Sequence, residues 1–119
     1  MIRLGITGTD TDVGKTFVAS VLLRMMRRAG LRVTAMKPLE SGVKPDDPSS
    51  DAYRLRAAAG SDDPLDDVRP VLLTEPLAPW VAMQRAGSEV DLGMLDAAFG
   101  RLCRQDMDNR RSHFGWRDE

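Results

Sequence analysis

Gly8-Thr9-Asp10-Thr11-Asp12-Val13-Gly14-Lys15-Thr16 lies between a short apolar run and a long amphipathic segment, which is the layout of a phosphate-binding loop. Glycines let backbone N–H groups turn inward toward an anion, a lysine supplies a compact charge for the outer phosphates, and a threonine hydroxyl ligates Mg²⁺. The helix that opens at Gly14 adds its N-terminal partial positive charge at the same point. The strict pattern places glycine at position 9, where this chain has Thr9, with Gly8 one residue earlier. The loop is therefore a one-residue variant. A solvated turn before a helix is the bland alternative; the strand expected before the loop and the helix expected after it favour nucleotide binding.

Working outward, Ile2, Leu4 and Ile6 alternate with Arg3, Gly5 and Thr7, a period-2 pattern that predicts a first strand feeding the loop. Val18, Val21, Leu22, Met25 and Met26 recur at helical spacing between Lys15 and Ala29, and Gly30 suits the position just past a helix end. Leu31 to Met36 reads as a second strand, stopped by Pro38, which has no N–H for a ladder. Strand, helix and strand in this span make a βαβ unit with parallel strands and a right-handed crossover. The fold class expected is α/β, a P-loop NTPase-like parallel sheet with flanking helices. Lys37, at the end of the second strand, then falls on the rim where open α/β sheets bind ligands.

Glu40 to Ser50, with Gly42, Pro45 and Pro48, reads as a loop on that rim, and Ser49 and Ser50 are candidate caps for a helix from about Asp51 to Ala59 ended by Gly60. Asp62 to Asp67 is acidic and solvated. Val68 to Leu73 is a candidate strand that Pro70 confines to an edge. Trp80 to Gln84 predicts a short helix. Asp91 caps a longer one with Leu92, Leu95, Ala98, Phe99 and Leu102 on one face. Gln105 to Glu119 has neither alternation nor a helical stripe and reads as a frayed polar tail. Residues 1–104 thus form the expected α/β part and 105–119 the tail.

The 119 residues suit one domain, and a net charge of −1 gives no electrostatic case for nucleic acid or an anionic membrane as partner. Cys103 is the sole cysteine, so no internal disulfide or cysteine metal cluster is expected. No charged and apolar leader pattern and no run near the length of a bilayer span is present, so a cytoplasmic location is expected. His113 stands alone among polar residues and reads as solvated.

The loop 8–16, followed by Lys37-Pro38-Leu39-Glu40-Ser41-Gly42, Ser50-Asp51-Ala52 and Glu75-Pro76-Leu77-Ala78-Pro79, resembles the ATP-dependent dethiobiotin synthetases of biotin biosynthesis over roughly residues 2 to 102. The resemblance implies a ligase reaction. CO₂ carboxylates 7,8-diaminononanoate to a carbamate, ATP phosphorylates it, and the neighbouring amine closes the ureido ring, releasing ADP and phosphate. It implies ATP and Mg²⁺ as cofactors, with Asp12, Val13, Gly14, Lys15, Thr16 and Phe17 wrapping the phosphates. Thr16 and Asp51 would serve the metal, Asp51 directly or through water, Lys37 would be the catalytic lysine, and Ser41 would touch the diamine. A homodimer is implied as well. Each residue keeps an ordinary alternative: Lys37 a solvated strand end, Asp51 a carboxylate that suits a helix dipole, Ser41 a turn residue.

The chain also departs from the family pattern. The relatives are longer and carry a strand ending in Glu-Gly-Ala-Gly-Gly, whose glutamate is a second metal ligand, and an adenine-binding segment; this chain runs instead into Gln105–Glu119, as if the coding sequence ended early. Weak ATP binding and poor turnover by this chain alone are the expectation. Trp80 stands where relatives often carry histidine. Two readings compete. A ParA/MinD-like nucleotide-switched ATPase shares the loop topology but typically has a lysine early in the loop, where this chain has Thr9 and Asp10; the other alternative is a non-catalytic remnant.

Overall fold

A computed structural model of the chain describes residues 3–6, 14–76, 80–81, 84–85 and 92–117, with 105–117 as backbone only. Its elements are α1 (Lys15–Arg28), β1 (Leu39–Ser41), α2 (Asp51–Ala59), α3 (Leu65–Val68), β2 (Val71–Leu73) and α4 (Leu92–Arg117). Helix α1 begins and ends where the spacing places it, and Ala29 and Gly30 close it with N–H bonds to Met25, Arg27 and neighbouring carbonyls. The bounds of α2 match the sequence reading residue for residue.

The two strands pair in parallel, Leu39 opposite Val71, Glu40 opposite Leu72 and Ser41 opposite Leu73. Parallel neighbours need a long crossover, and α2 and α3 supply it. The P-loop NTPase-like α/β reading holds, with the ladder at a different place. Residues 3–6 and 31–37 belong to no ladder among the described residues, so strands at 2–6 and 31–36 are not found there, and Lys37 precedes a strand rather than ending one. Pro38 does not stop the pairing. Its carbonyl accepts the Val71 N–H at 3.1 Å, and the donor it lacks is made up one residue earlier, where the Lys37 N–H reaches the Val68 carbonyl at 2.7 Å. Val71 and Leu73 present their ladder groups to β1, so Pro70, one residue out of phase, faces away from it and costs no bond. Beyond β1, the Gly42 N–H bonds the Leu73 carbonyl at 2.8 Å. Gly42 turns with φ +76°, and a Cβ there would stand 3.2 Å from the Pro76 backbone.

Ala52, Val68 and Leu102 form the centre of the core, with Met36 and Leu65 packed against it. They join α2, α3 and α4. Of the stripe expected on α4, Ala98 and Leu102 are buried, Leu95 and Phe99 half-buried, and Leu92 exposed; its cap Asp91 lies outside the described residues. Backbone helix continues to Arg117 where a frayed tail is the expectation. No proline follows Pro79 to interrupt propagation, and adding a residue to an existing helix is far easier than starting one. Helical backbone also stands at 80–81 and 84–85, where a short helix over Trp80 to Gln84 is expected.

Helix α1 packs on α2, and no residue of α1 is fully buried. Val18, Val21 and Met25, expected on its covered face, are exposed, while Leu22 and Met26 are half-buried. The guanidinium of Arg27 ties the two helices by donating to the Ala58 carbonyl at 3.3 Å, at the end of α2 where a cation suits the helix dipole. No helix among the described residues is long and apolar enough to cross a membrane. Leu102→Ala removes the largest fully buried side chain among the described residues and is expected to lower stability by about 3 kcal/mol in urea unfolding; a loss under about 1 kcal/mol would mean that α4 does not dock as described.

Candidate functional site

Gly14 enters α1 with φ 81°, a left-handed conformation that costs glycine little, and the Val18 N–H bonds its carbonyl at 3.0 Å. This turn sets Lys15, Thr16 and Phe17 in the first turn of α1. Asp12 and Val13, the other two residues expected at the phosphates, lie outside the described residues. Phe17 has an exposed side chain, so what it offers an anion is its backbone N–H.

The head of α2 meets the head of α1 at one carboxylate. The Lys37 ammonium donates to Asp51 Oδ2 at 2.8 Å, and the Thr16 hydroxyl donates to the same carboxylate. Burial opposes the charged form of Asp51, but the hydrogen bond and charge of Lys37, the Thr16 hydroxyl and the nearby Arg54 charge outweigh it and hold the carboxyl below its usual range. Residues 16, 37 and 51, far apart in the chain, thus share one contact, with Lys15 next to Thr16. Thr16 also borders an open groove of about 350 Å³ between α1 and α2, lined by Phe17, Ser20, Tyr53 and Arg54.

Ser41 stands apart from this cluster. It is half-buried at the end of β1, opposite Leu73, and its side chain makes no hydrogen bond among the described residues. No group of three or more His, Cys, Asp or Glu side chains gathers as a metal cage among the described residues.

Two residues that the sequence reading left without a role support the cluster. Glu40, 5 % exposed, accepts the Asp51 N–H at 2.8 Å through Oε2 and pairs with Arg69 at 2.9 Å through Oε1. Arg69, equally buried, also reaches the Ser50 hydroxyl at 3.5 Å and the Pro45 carbonyl at 2.9 Å. Ser50 occupies the N-cap position of α2, but its side chain caps nothing; Glu40 takes the helix amide in its place. Burial was the missing signal: a Glu at the start of an expected rim loop, and an Arg beside a Pro, look solvated in sequence. In the loop before α2, Asp47 accepts the Ser49 hydroxyl at 2.7 Å and the Ser49 N–H at 2.9 Å, and these bonds lower its carboxyl pKa.

The sequence profile of the AAA domain family matches residues 3–106. The chain is 49 % identical over 103 residues to a protein of Anaeromyxobacter dehalogenans named ATP-dependent dethiobiotin synthetase BioD, an alignment covering 87 % of this chain and 46 % of that protein. It is 45 % identical over 87 residues to a Bacillus thuringiensis protein of the same name, covering 73 % of this chain and 36 % of the relative. The chain spans less than half the length of these relatives.

A depressed Asp51 pKa favours the folded state while the group is charged. That contribution is complete above the unfolded pKa, about 4, and is lost as pH falls through the lower folded value. Urea midpoints of the wild type and Asp51→Asn measured from pH 7 down to about 2.5 should therefore converge below about pH 4. A gap that stays constant over this range would show that the carboxylate is not held as described.

Proposed function

Because the chain belongs to the AAA domain family, we propose that it carries the phosphate- and Mg²⁺-binding part of an ATP-dependent dethiobiotin synthetase. One observation carries this reading: the Asp51 carboxylate joins the Thr16 hydroxyl, in the first turn of α1, to the Lys37 ammonium. A triphosphate seated on the α1 N-terminus would meet Lys15 and Thr16 directly and bring its outer phosphate toward Lys37.

The donor chemistry fits Mg²⁺. A hydroxyl and a carboxylate are hard oxygen donors, and two protein oxygens suit an ion that takes its other ligands from phosphates and water. Thr16 and Asp51 would hold it, and when bound it would offset the phosphate charge. The chain's own residues do the rest. Backbone N–H groups of the stretch Asp12 to Phe17 bind the phosphates, and Lys15 balances the outer ones. Lys37 holds the carbamate of 7,8-diaminononanoate and CO₂ against the γ-phosphate while negative charge passes between them. The carbamate oxygen forms its bond to phosphorus as the bond to ADP breaks; the second amine then attacks the carbonyl carbon, and phosphate leaves as the ureido ring closes. Ser41 contacts the diamine from the end of β1. A homodimer and a cytoplasmic location complete the proposal, with residues 1–104 as the nucleotide-binding part and 105–119 outside it.

The ParA/MinD-like alternative gains no support from Thr9 and Asp10 in the loop, and the names of the relatives favour the ligase. Calorimetric titration of the chain with Mg²⁺ and ATP tests the reading. Lys15→Ala should weaken binding at least about tenfold, equivalent to about 1.4 kcal/mol. Lys37→Ala should keep binding within about threefold yet abolish any phosphate release that depends on 7,8-diaminononanoate and bicarbonate. Unchanged ATP affinity in Lys15→Ala would refute the assignment.

A further inference from the structure

We infer that the buried Glu40–Arg69 pair is a positioning device for the Mg²⁺–nucleotide site, fixing Asp51 by a second point of attachment; this rests on the reading of Thr16 and Asp51 as the metal-binding residues. The stretch 37–40 grips Asp51 twice. Lys37 takes its carboxylate at 2.8 Å and Glu40 takes its backbone N–H at 2.8 Å. Between them they set both where the residue begins and where its side chain ends.

Arg69 makes this grip rigid. Its Nη1 donates to Glu40 Oε1, leaving Oε2 to accept from Asp51, and also to the Ser50 hydroxyl, while Nη2 donates to the Pro45 carbonyl; Pro45 and Ser50 bound the loop leading into α2. Lysine presents one ammonium in place of this planar fork. A buried ion pair is a poor source of stability, because removing both charges from water costs about what their attraction returns. Plain helix capping needs no such pair either, since Ser50 already stands at the cap position and its hydroxyl faces Arg69. What the arrangement adds is registration: β1 and the approach to β2, through Glu40 and Arg69, fix the head of α2 relative to Lys37. Glu40 and Arg69 are positioning residues, not catalytic ones.

The test uses Mn²⁺ in place of Mg²⁺, with paramagnetic resonance reporting the metal as ATP is added, and separate titrations with ATP alone. Glu40→Gln has one oxygen where Glu40 uses two, so either the Asp51 N–H or Arg69 loses its acceptor, and its Mn²⁺–ATP affinity should fall at least about threefold. Glu40→Met combined with Arg69→Met removes the buried charges together and with them the acceptor; Mn²⁺–ATP affinity should fall at least about tenfold while metal-free ATP binding stays within about twofold. Should that pair of changes prevent folding, Arg69→Lys carries the test, with an expected loss of about fivefold confined to the metal-dependent part. Metal-dependent affinity equal to wild type in the double variant or in Arg69→Lys overturns the inference, as does an equal loss with and without metal, which marks a general structural role. Hydrogen exchange of the Asp51 amide separates this from the site reading. A wild type whose ATP binding ignores Mn²⁺ while that amide remains protected refutes the site reading and the metal role inferred here, yet leaves the Glu40 contact standing.

Discussion

Two helix heads and one strand approach meet at the carboxylate of Asp51, and the arrangement of the molecule follows from keeping that group charged. Burial raises its pKa, and a Lys37 ammonium at 2.8 Å and the Thr16 hydroxyl more than offset that, leaving it below the usual range. The contact constrains the chain over long distances. Thr16 brings α1, Asp51 brings α2, and Lys37 brings the entrance to β1, so misplacing α2 or the approach to β1 leaves a charge without its partner, and misplacing α1 costs the carboxylate a hydrogen bond.

The short parallel ladder is the frame for this meeting. Three residue pairs suffice because the crossover through α2 and α3 packs Ala52 and Val68 against Leu102 of α4. The ladder also delivers Glu40 and the approach to Arg69 to the same side of the site. Polar groups at the centre are thus satisfied by one another: Glu40 by Arg69 and Asp51, Arg69 by Pro45 and Ser50, and Asp67 by Arg101 at 2.8 Å from α4. Charges removed from water need such partners, and each of these comes from a different segment.

Helices were legible in the sequence because their signals are local. Gly14 and Gly30 bracket α1, and Ser50 and Gly60 bracket α2 at its observed bounds. Strands were less so, since a ladder depends on a distant partner. Leu31–Met36 has the right alternation but no partner among the described residues, whereas Leu39–Ser41, of which Glu40 and Ser41 were read as loop, pairs with Val71–Leu73. Pro38 misled for a specific reason: the missing N–H is replaced by that of Lys37, which no local pattern reveals. The candidate site was partly legible. Thr16, Lys37 and Asp51 were identified through motif resemblance and are found in contact, while Ser41 is not joined to them. Glu40 and Arg69 escaped because their meaning comes from burial and from each other.

Thr16, Lys37 and Asp51 all fall within residues 3–106, the span that the AAA domain family profile matches. A crystal structure of the chain with Mg²⁺ and a non-hydrolysable ATP analogue tests the claim most directly. The account predicts one triphosphate on the α1 N-terminus, with Thr16 and Asp51 at the metal and the Lys37 ammonium within hydrogen-bond reach of the outer phosphate. A triphosphate bound elsewhere, or one on α1 with Lys37 turned away from it, would contradict the account.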